Sequence, residues 1–338
     1  MKKLPEVRVS YKSLRRMLVA PLRSKLLLTG IELKVFNYLS EPMSAAELAC
    51  VLGFHGENTK IFLDGLAAIH LIDKKNGLYQ NTPVAQALLV EGSSTYLGSF
   101  IGIQERWLHP AIDDLPKLVK EGPPPQEIGV APKKRWNAQM AMAVANYQRA
   151  GIGQQIAKMV ASFPEFSSFR KMLDLGGGAG LIGIAIVAEH PSMKGVIFDQ
   201  PEIVRVSELF IREYELEDRM GVIGGDYLKD PIGEQYDLIW SSATLNFARD
   251  NMDSIVKKVY DALNPGGLFV SYHAGLTEER TQPNGMILGW MSLALMGQDL
   301  GLDQGFIADS MLRAGFKSVR GCTLDLDHGP LDMDIGRK

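Results

Sequence analysis

The feature that most restricts this chain is the stretch Lys171-Met-Leu-Asp-Leu-Gly-Gly-Gly-Ala-Gly-Leu-Ile182. A short apolar run carrying one acid, Met172 to Leu175, gives way to Gly176, Gly177, Gly178 and Gly180, then resumes as Leu181 to Ala188. The pattern predicts strand, turn and helix. Glycines at such a turn let the backbone approach a ligand with no Cβ in between, and the helix start adds free N–H groups and a positive dipole end. A nucleotide-like or carboxylate-bearing ligand suits that place. Glycine-rich turns also make purely structural connections, so the loop alone decides little.

The downstream strands narrow the reading. Gly195-Val-Ile-Phe-Asp199 reads as a second buried strand ending in an acid, at the separation where doubly wound folds set a carboxylate against ribose hydroxyls. Asp199 is the expected ribose ligand. A third run, Met220 to Tyr227, ends in Asp226 and an aromatic, groups able to hold an adenine by hydrogen bond and stacking. A fourth, Tyr236 to Ser242, ends in the hydroxyls of Ser241 and Ser242. A nicotinamide enzyme is the competing class, with the fingerprint G-x-G-x-x-G. Counted from Gly176, the third glycine position holds Leu181; counted from Gly178, the run Gly178-Ala-Gly180-Leu-Ile-Gly183 fits. The loop leaves that class open, and the later strand ends argue against it.

In the order DLGGGAG, FDQP, GDYL, YDLIWSSATL and ALNPGGLFV, the chain resembles the S-adenosylmethionine-dependent small-molecule methyltransferases. More narrowly, it resembles the winged-helix dimerising O-methyltransferases that act on plant phenolics and bacterial polyketide-type metabolites. The resemblance runs from about Ser24 to Lys338. It implies a class I methyltransferase, Rossmann-like α/β fold: a doubly wound, mostly parallel sheet with an antiparallel C-terminal edge strand, beside a mainly helical N-terminal winged-helix domain. It implies S-adenosylmethionine as cofactor, S-adenosylhomocysteine as its product, a small-molecule substrate and no metal. The cofactor contacts expected at the motifs are Asp174, Gly176, Gly177, Gly178, Asp199, Gln200, Gly225, Asp226, Tyr227, Ser241 and Ser242.

At 338 residues, 46% hydrophobic and 22% charged, the chain can bury one large core or two smaller ones, and its length favours two domains. The expected domains are residues 1–120 and 121–338. With 36 basic against 39 acidic residues the formal net charge is -3, which offers no electrostatic footprint for nucleic acid or an anionic membrane. Cys50 and Cys322 are the only cysteines, too few for a disulfide scaffold or a cysteine metal site. No signal peptide is visible after Met1-Lys2-Lys3, and the apolar segment Met286 to Met296 is shorter than the ~20 residues a bilayer needs. A cytoplasmic protein is expected.

Residues 10–20 and 24–39 read as two helices. Ser44 and Glu47 form a capping box opening a helix that stops near Gly53, and Thr59 to Ile69 is a further helical run. Asn76-Gly77 then marks a hairpin, and Thr82-Pro83 opens another helix. Helices followed by a hairpin spell a winged helix. DNA reading is disfavoured, because the would-be recognition helix carries Glu57, Lys60 and Asp64 and the wing offers only Lys74 and Lys75. In the family resembled, this module dimerises instead. Leu26, Leu27, Leu28, Ile31 and Leu33 fit either a self-complementary homodimer face or the domain's own core.

A proline-rich connector, 121–134 with Pro123 to Pro125, precedes a helical run from Trp136 to Ala161. Crossover helices are expected at 201–217 and 253–263, and Leu268 to Tyr272 is the next strand. A helix at 305–315 and an antiparallel pair, 317–325 against 331–337 around His328, close the chain. Trp107, Met140, Tyr147, Trp290 and Met291 are the expected substrate-pocket residues, with Trp136 and Met296 as further aromatic or apolar candidates; ordinary core packing competes at each methionine.

Methyl transfer to a phenol needs a proton acceptor within hydrogen-bond reach of the reacting oxygen. Here the chain departs from the family. Where its relatives carry Leu-His-Asp-Trp with the His as base, this sequence reads Leu245-Asn246-Phe247-Ala248, and Asn246 takes no proton at neutral pH. Three outcomes follow. The acceptor is already nucleophilic, such as an acidic phenol, an amine, a thiolate or an enol carbon, and proximity and alignment supply most of the acceleration, with Asn246 either orienting it by hydrogen bond or standing as an ordinary loop residue. Alternatively His273, just past the fifth strand, serves as base. In the third, methyl transfer gives way to decarboxylation or hydroxylation with the same cofactor. The first is the primary reading, and a winged-helix DNA-binding regulator is the runner-up from another class.

Overall fold

The computed structural model describes residue 4 and residues 6–108, 113–123, 136–326 and 329–338, the side chains of 107 and 108 excepted. Trp107 as a pocket residue, most of the proline-rich connector and the hairpin tip at His328 lie outside the described residues. The chain divides into two compact units, Met1–Gly102 and Ile103–Lys338.

The first unit holds α1 (Lys12–Glu32), a 3-10 turn at Val35–Tyr38, β1 (Met43–Ser44), α2 (Ala45–Leu52), α3 (Gly56–Ala68), β2 (Ile72–Lys75), β3 (Leu78–Asn81) and α4 (Pro83–Leu88). Ser44 caps α2 as expected: Glu47 N–H donates to its hydroxyl and Glu47 Oε2 accepts from the Ser44 N–H at 2.8 Å. Gly53, with φ of 68°, ends that helix. Asn76 and Gly77 both adopt left-handed backbone (φ 52° and 80°), which a two-residue hairpin requires, and β2 and β3 pair antiparallel around them. One expectation fails. Residues 12–32 form a single helix running through Pro21, because the helix formers on either side outweigh one lost hydrogen bond, and the break falls at left-handed Lys34 instead. The wing's Lys74 is engaged by Asp64, which also accepts from the Tyr79 hydroxyl at 2.8 Å.

After α5 (Gly98–Leu108), which straddles the division, and α6 (Leu115–Glu121), the second unit continues with α7 (Ala138–Tyr147), a π turn at Gln148–Ile152 and α8 (Gly153–Ala161). The run that reads as one helix from sequence is interrupted at Gly151, whose φ of 129° no helix accommodates. Then follow β4 (Lys171–Leu175), α9 (Leu181–Glu189), β5 (Lys194–Asp199), α10 (Pro201–Glu213), β6 (Met220–Gly224), β7 (Tyr236–Ser242), a 3-10 turn at Leu245–Asn251 and α11 (Met252–Ala262). The chain closes with β8 (Leu263–His273), β9 (Gly275–Leu276), α12 (Asn284–Leu295), β10 (Leu302–Asp303), α13 (Phe306–Ala314), β11 (Ser318–Leu326) and β12 (Gly329–Arg337).

The seven-stranded sheet has the order β11-β12-β8-β7-β4-β5-β6. Strands β4 to β8 are parallel, while β12 lies antiparallel between β8 and the edge strand β11, so the C-terminal hairpin supplies the antiparallel edge. Parallel strands covered on both faces read as continuous apolar runs. Met172, Leu238, Trp240 and Val270 pack on one face, and Leu173, Leu175, Ile239 and Phe269 on the other. Cutting one fully buried member back, as in Leu173→Ala, removes about 2–5 kcal/mol of stability. Strand order reverses between β4 and β7, and in open α/β sheets ligands bind outside the carboxyl ends at that switch point.

Candidate active site

At the switch point the glycine loop is shaped by what each Cβ would strike. Gly176 (φ 67°) and Gly178 (φ 61°) are left-handed, and a Cβ at Gly176 would stand 2.2 Å from Thr244 Oγ1. At Gly177 and Gly183 it would stand 2.7 Å from Asp174 Oδ2. These glycines therefore keep the loop wrapped over the Asp174 carboxylate, which accepts from Gly183 N–H at 3.1 Å. Burial pushes the Asp174 pKa up to about 7.

The next tip, Asp199, is buried, and its two oxygens accept from the Gly178 N–H at 2.8 Å and the Gln200 N–H at 2.7 Å. Burial raises its pKa, against the lowering effect of those two backbone donors. A carboxylate has about four lone-pair sites, so each oxygen keeps one for a ligand hydroxyl. Gly225 N–H donates to the Asp199 carbonyl at 2.9 Å, joining the second tip to the third. Asp226 Oδ1 accepts from Leu228 N–H at 3.1 Å. The Tyr227 hydroxyl donates to the Thr244 carbonyl at 2.9 Å, and burial pushes its pKa up to about 12.

These tips line one cavity of about 260 Å³. Of the residues expected at the cofactor, Asp174, Gly176, Gly177, Gly178, Asp199, Gln200, Gly225, Asp226, Tyr227 and Ser242 line it. Ser241 does not: side chains alternate along a strand, and with Ser242 toward the cavity Ser241 is buried on the other face, opposite Ser271. The same alternation displaces His273. Tyr272 lines the cavity, so His273 points to the opposite face, where it is fully buried with Asp334 Oδ2 3.8 Å from its Nε2. Burial lowers its pKa to about 4. That placement gives His273 no access to an acceptor in the cavity.

The other wall comes from helices. Trp136, Tyr147 and Trp290 line it as expected from their aromatic character. Met140 packs instead with Ile103 and Ala143, and Met291, a step of about 100° from Trp290 around α12, faces outward at 36% exposure. Asn246 lines the cavity and is 3% exposed; its Nδ2 donates to the Leu300 carbonyl at 2.7 Å. Thr244, Phe247, Tyr272 and Gln148 also line the cavity, outside the set expected from the sequence. Strand alternation could have found Tyr272, and helical spacing from Val144 and Tyr147 could have found Gln148, whose backbone is still helical ahead of the break at Gly151.

The residues fit an adenosyl cofactor on the shape of the loop itself. Left-handed glycines leave a cradle free of Cβ atoms, and buried carboxylates suit a ligand bearing vicinal hydroxyls and an ammonium group. A doubly wound sheet with acids at consecutive strand tips and an apolar second wall defines an enzyme acting on a small molecule with an adenosyl-type cofactor.

Comparison with known proteins makes the class specific. A family model described as the O-methyltransferase domain matches residues 134–306, just over half of the chain, and one described as the O-methyltransferase dimerisation domain matches residues 16–91. The tetracenomycin polyketide synthesis 8-O-methyl transferase TcmO of Streptomyces glaucescens is 26% identical over 93% of both chains, and the N,N-dimethyltransferase OxyT of Streptomyces rimosus is 27% identical over 77% of both. Among solved structures, human N-acetylserotonin methyltransferase in complex with S-adenosylmethionine aligns with a TM-score of 0.79 at 23% identity, covering 100% of this chain and 99% of that one. PigF with S-adenosylhomocysteine aligns at 0.81 and 22% identity, covering 98% and 100%. The chain belongs to the O-methyltransferase family: it is an S-adenosylmethionine-dependent methyltransferase and carries that family's dimerisation domain. Among the described residues, no helix is long and apolar enough to cross a membrane, and no group of acids, histidines and cysteines could hold a metal ion.

Proposed function

We propose that this enzyme methylates a small, planar, aromatic molecule seated against α7, α8 and α12, with S-adenosylmethionine held at the tips of β4, β5 and β6. The observation that carries the reading is the joining of both walls in one cavity: Asp174, Asp199 and Asp226 with the glycine loop, and Trp136, Tyr147 and Trp290. In it Asp199 binds the ribose hydroxyls, Asp226 and Tyr227 flank the adenine, and Asp174 with the loop amides holds the amino-acid end. When bound, the cofactor supplies an electrophilic methyl group. The apolar wall excludes water and presents the acceptor; Asn246 orients it without removing a proton. The relatives named above include an O-methyl and an N,N-dimethyl transferase, so kinship leaves the reacting atom open.

Incubation of the full chain with S-adenosylmethionine and a panel of planar phenols, amines, thiols and enols is expected to release S-adenosylhomocysteine with at least one class. No turnover with any class, together with no calorimetric binding of S-adenosylhomocysteine, would remove the reading.

The first unit supports pairing of two copies. Leu14, Leu18 and Leu22 follow one another at intervals of one helical turn on α1 and are 62%, 81% and 63% exposed. A homodimer covers such a stripe. Light scattering is expected to give twice the chain mass, and Leu18→Glu a shift toward monomer.

A further inference from the structure

Two polar atoms in the cavity remain without a role once the strand tips are assigned. The hydrogen bond from Asn246 Nδ2 to the Leu300 carbonyl fixes the amide, and the Oδ1 it leaves over is buried with no partner. Gln148 is 8% exposed, and its Oε1 likewise has none. Both side chains line the cavity, among Trp136, Ile152, Ile156, Phe247, Trp290 and Leu300. An unpaired acceptor in an apolar site is costly, and a ligand N–H or O–H placed on it removes that cost.

The chemistry of the pair discriminates between ligands. Neither amide oxygen takes up a proton near neutral pH. Among the described lining residues there is no histidine, lysine or cysteine, and the carboxylates of Asp174, Asp199 and Asp226 each accept from a backbone N–H of the glycine loop, its helix or the strand tips. An ordinary phenol must lose its proton to become a good nucleophile; the carboxylates stand on the strand-tip side with the cofactor, and beside Asn246 and Gln148 the helical wall carries, among the described residues, no carboxylate, histidine or lysine to take that proton. A neutral amine carries an N–H and a lone pair on the same atom. It can donate to an amide oxygen and attack at once.

We propose that Asn246 and Gln148 are the substrate-reading pair of this enzyme and select a planar, neutral amine, whose reacting N–H donates to Asn246 Oδ1 while a second donor on the molecule reaches Gln148 Oε1. The inference rests on the S-adenosylmethionine reading above. The nitrogen lone pair forms the new N–C bond as the C–S bond breaks, with its electron pair passing to sulfur. The nitrogen gains the positive charge and releases one proton to water after the product leaves.

The test uses the full chain saturated with S-adenosylhomocysteine and titrated calorimetrically with 1,5-diaminonaphthalene, 1-aminonaphthalene, 1-naphthol and naphthalene. The diamine is expected to bind tightest. Gln148→Leu and Asn246→Leu should each weaken it about 5- to 100-fold, with less than a twofold change for naphthalene. Gln148→Leu breaks no hydrogen bond within the protein and keeps the test valid if Asn246→Leu fails to fold. With S-adenosylmethionine at pH 7, 1-aminonaphthalene should be methylated faster than 1-naphthol, and Asn246→Asp, which adds a proton acceptor, should reverse that preference. No amine binding, a parallel loss for amine and naphthalene, or faster methylation of 1-naphthol by the unaltered enzyme would overturn the proposal. Failure of S-adenosylhomocysteine itself to bind would instead strike the cofactor reading.

Discussion

The strand-tip wall and the helical wall of the cavity satisfy their polar groups in opposite ways. At the tips each functional group is already held from within: Asp199 by Gly178 and Gln200, Tyr227 by Thr244, Asp174 by Gly183. Along the helices and the turn after β7, Gln148 and Asn246 keep buried oxygens with no internal partner. The first wall is preorganised for one ligand before it arrives. The second is completed only by a ligand of matching donors, and it is where members of one family can diverge in substrate while keeping a common cofactor.

The largest expected effect breaks the preorganised wall. Asp199→Ala removes the ribose acceptor and strips the Gly178 and Gln200 N–H groups of their partner, so the Kd for S-adenosylhomocysteine should rise about 100-fold or more by calorimetry. An unchanged Kd would mean that the two walls do not differ in the way described.

The same contrast separates what sequence could and could not show. Cofactor candidates were legible because each sits where a strand gives way to a turn, and glycine or acid at that position has a local physical reason. Fold class followed from the repeated strand-turn-helix order, and the capping box and Asn-Gly hairpin followed from backbone rules acting over four residues. Ser241 and His273 were misplaced by one residue of strand parity: with Ser242 and Tyr272 toward the cavity, alternation turns both to the other face. Gln148 keeps helical backbone (φ -63°, ψ -37°) and shares the α7 face of Val144 and Tyr147, so its place was legible from helical spacing, while the unpaired state of its amide oxygen was not. The run through Pro21 shows helix propensity outlasting a nominal breaker.

A smaller effect probes the Asp174 carboxylate through pH. Its pKa is raised by burial to about 7 in the folded chain, against an ordinary value of 3.8, so the unfolded chain ionises first as pH rises. This group therefore lowers stability progressively from about pH 4 to pH 7 and no further above it. Asp174→Asn lacks that loss. Thermal melts should agree near pH 4 and separate in favour of the variant by several degrees, on the order of 5 °C, at pH 7 to 8. Equal separation at every pH would contradict the assignment.

The smallest effect on chemistry is expected at His273, on the face of the sheet away from the cavity. His273→Gln should leave the pH profile of turnover in place and change kcat/KM by less than about twofold. Stability should respond instead. With the folded pKa lowered to about 4 from 6.5, the unfolded chain takes up the proton first, so the unaltered protein loses stability relative to the variant as pH falls from about 6.5 to about 4. A lost limb of the rate profile in the variant would return His273 to the chemistry.

The most direct measurement is a crystal structure of the full chain with S-adenosylhomocysteine. The ribose hydroxyls are expected on the Asp199 carboxylate, the adenine beside Asp226 and Tyr227, and the sulfur turned toward the wall that holds Asn246 and Gln148. Nucleoside density anywhere else, or an Asp199 carboxylate bonded to the Gly178 and Gln200 amides alone, would contradict that arrangement.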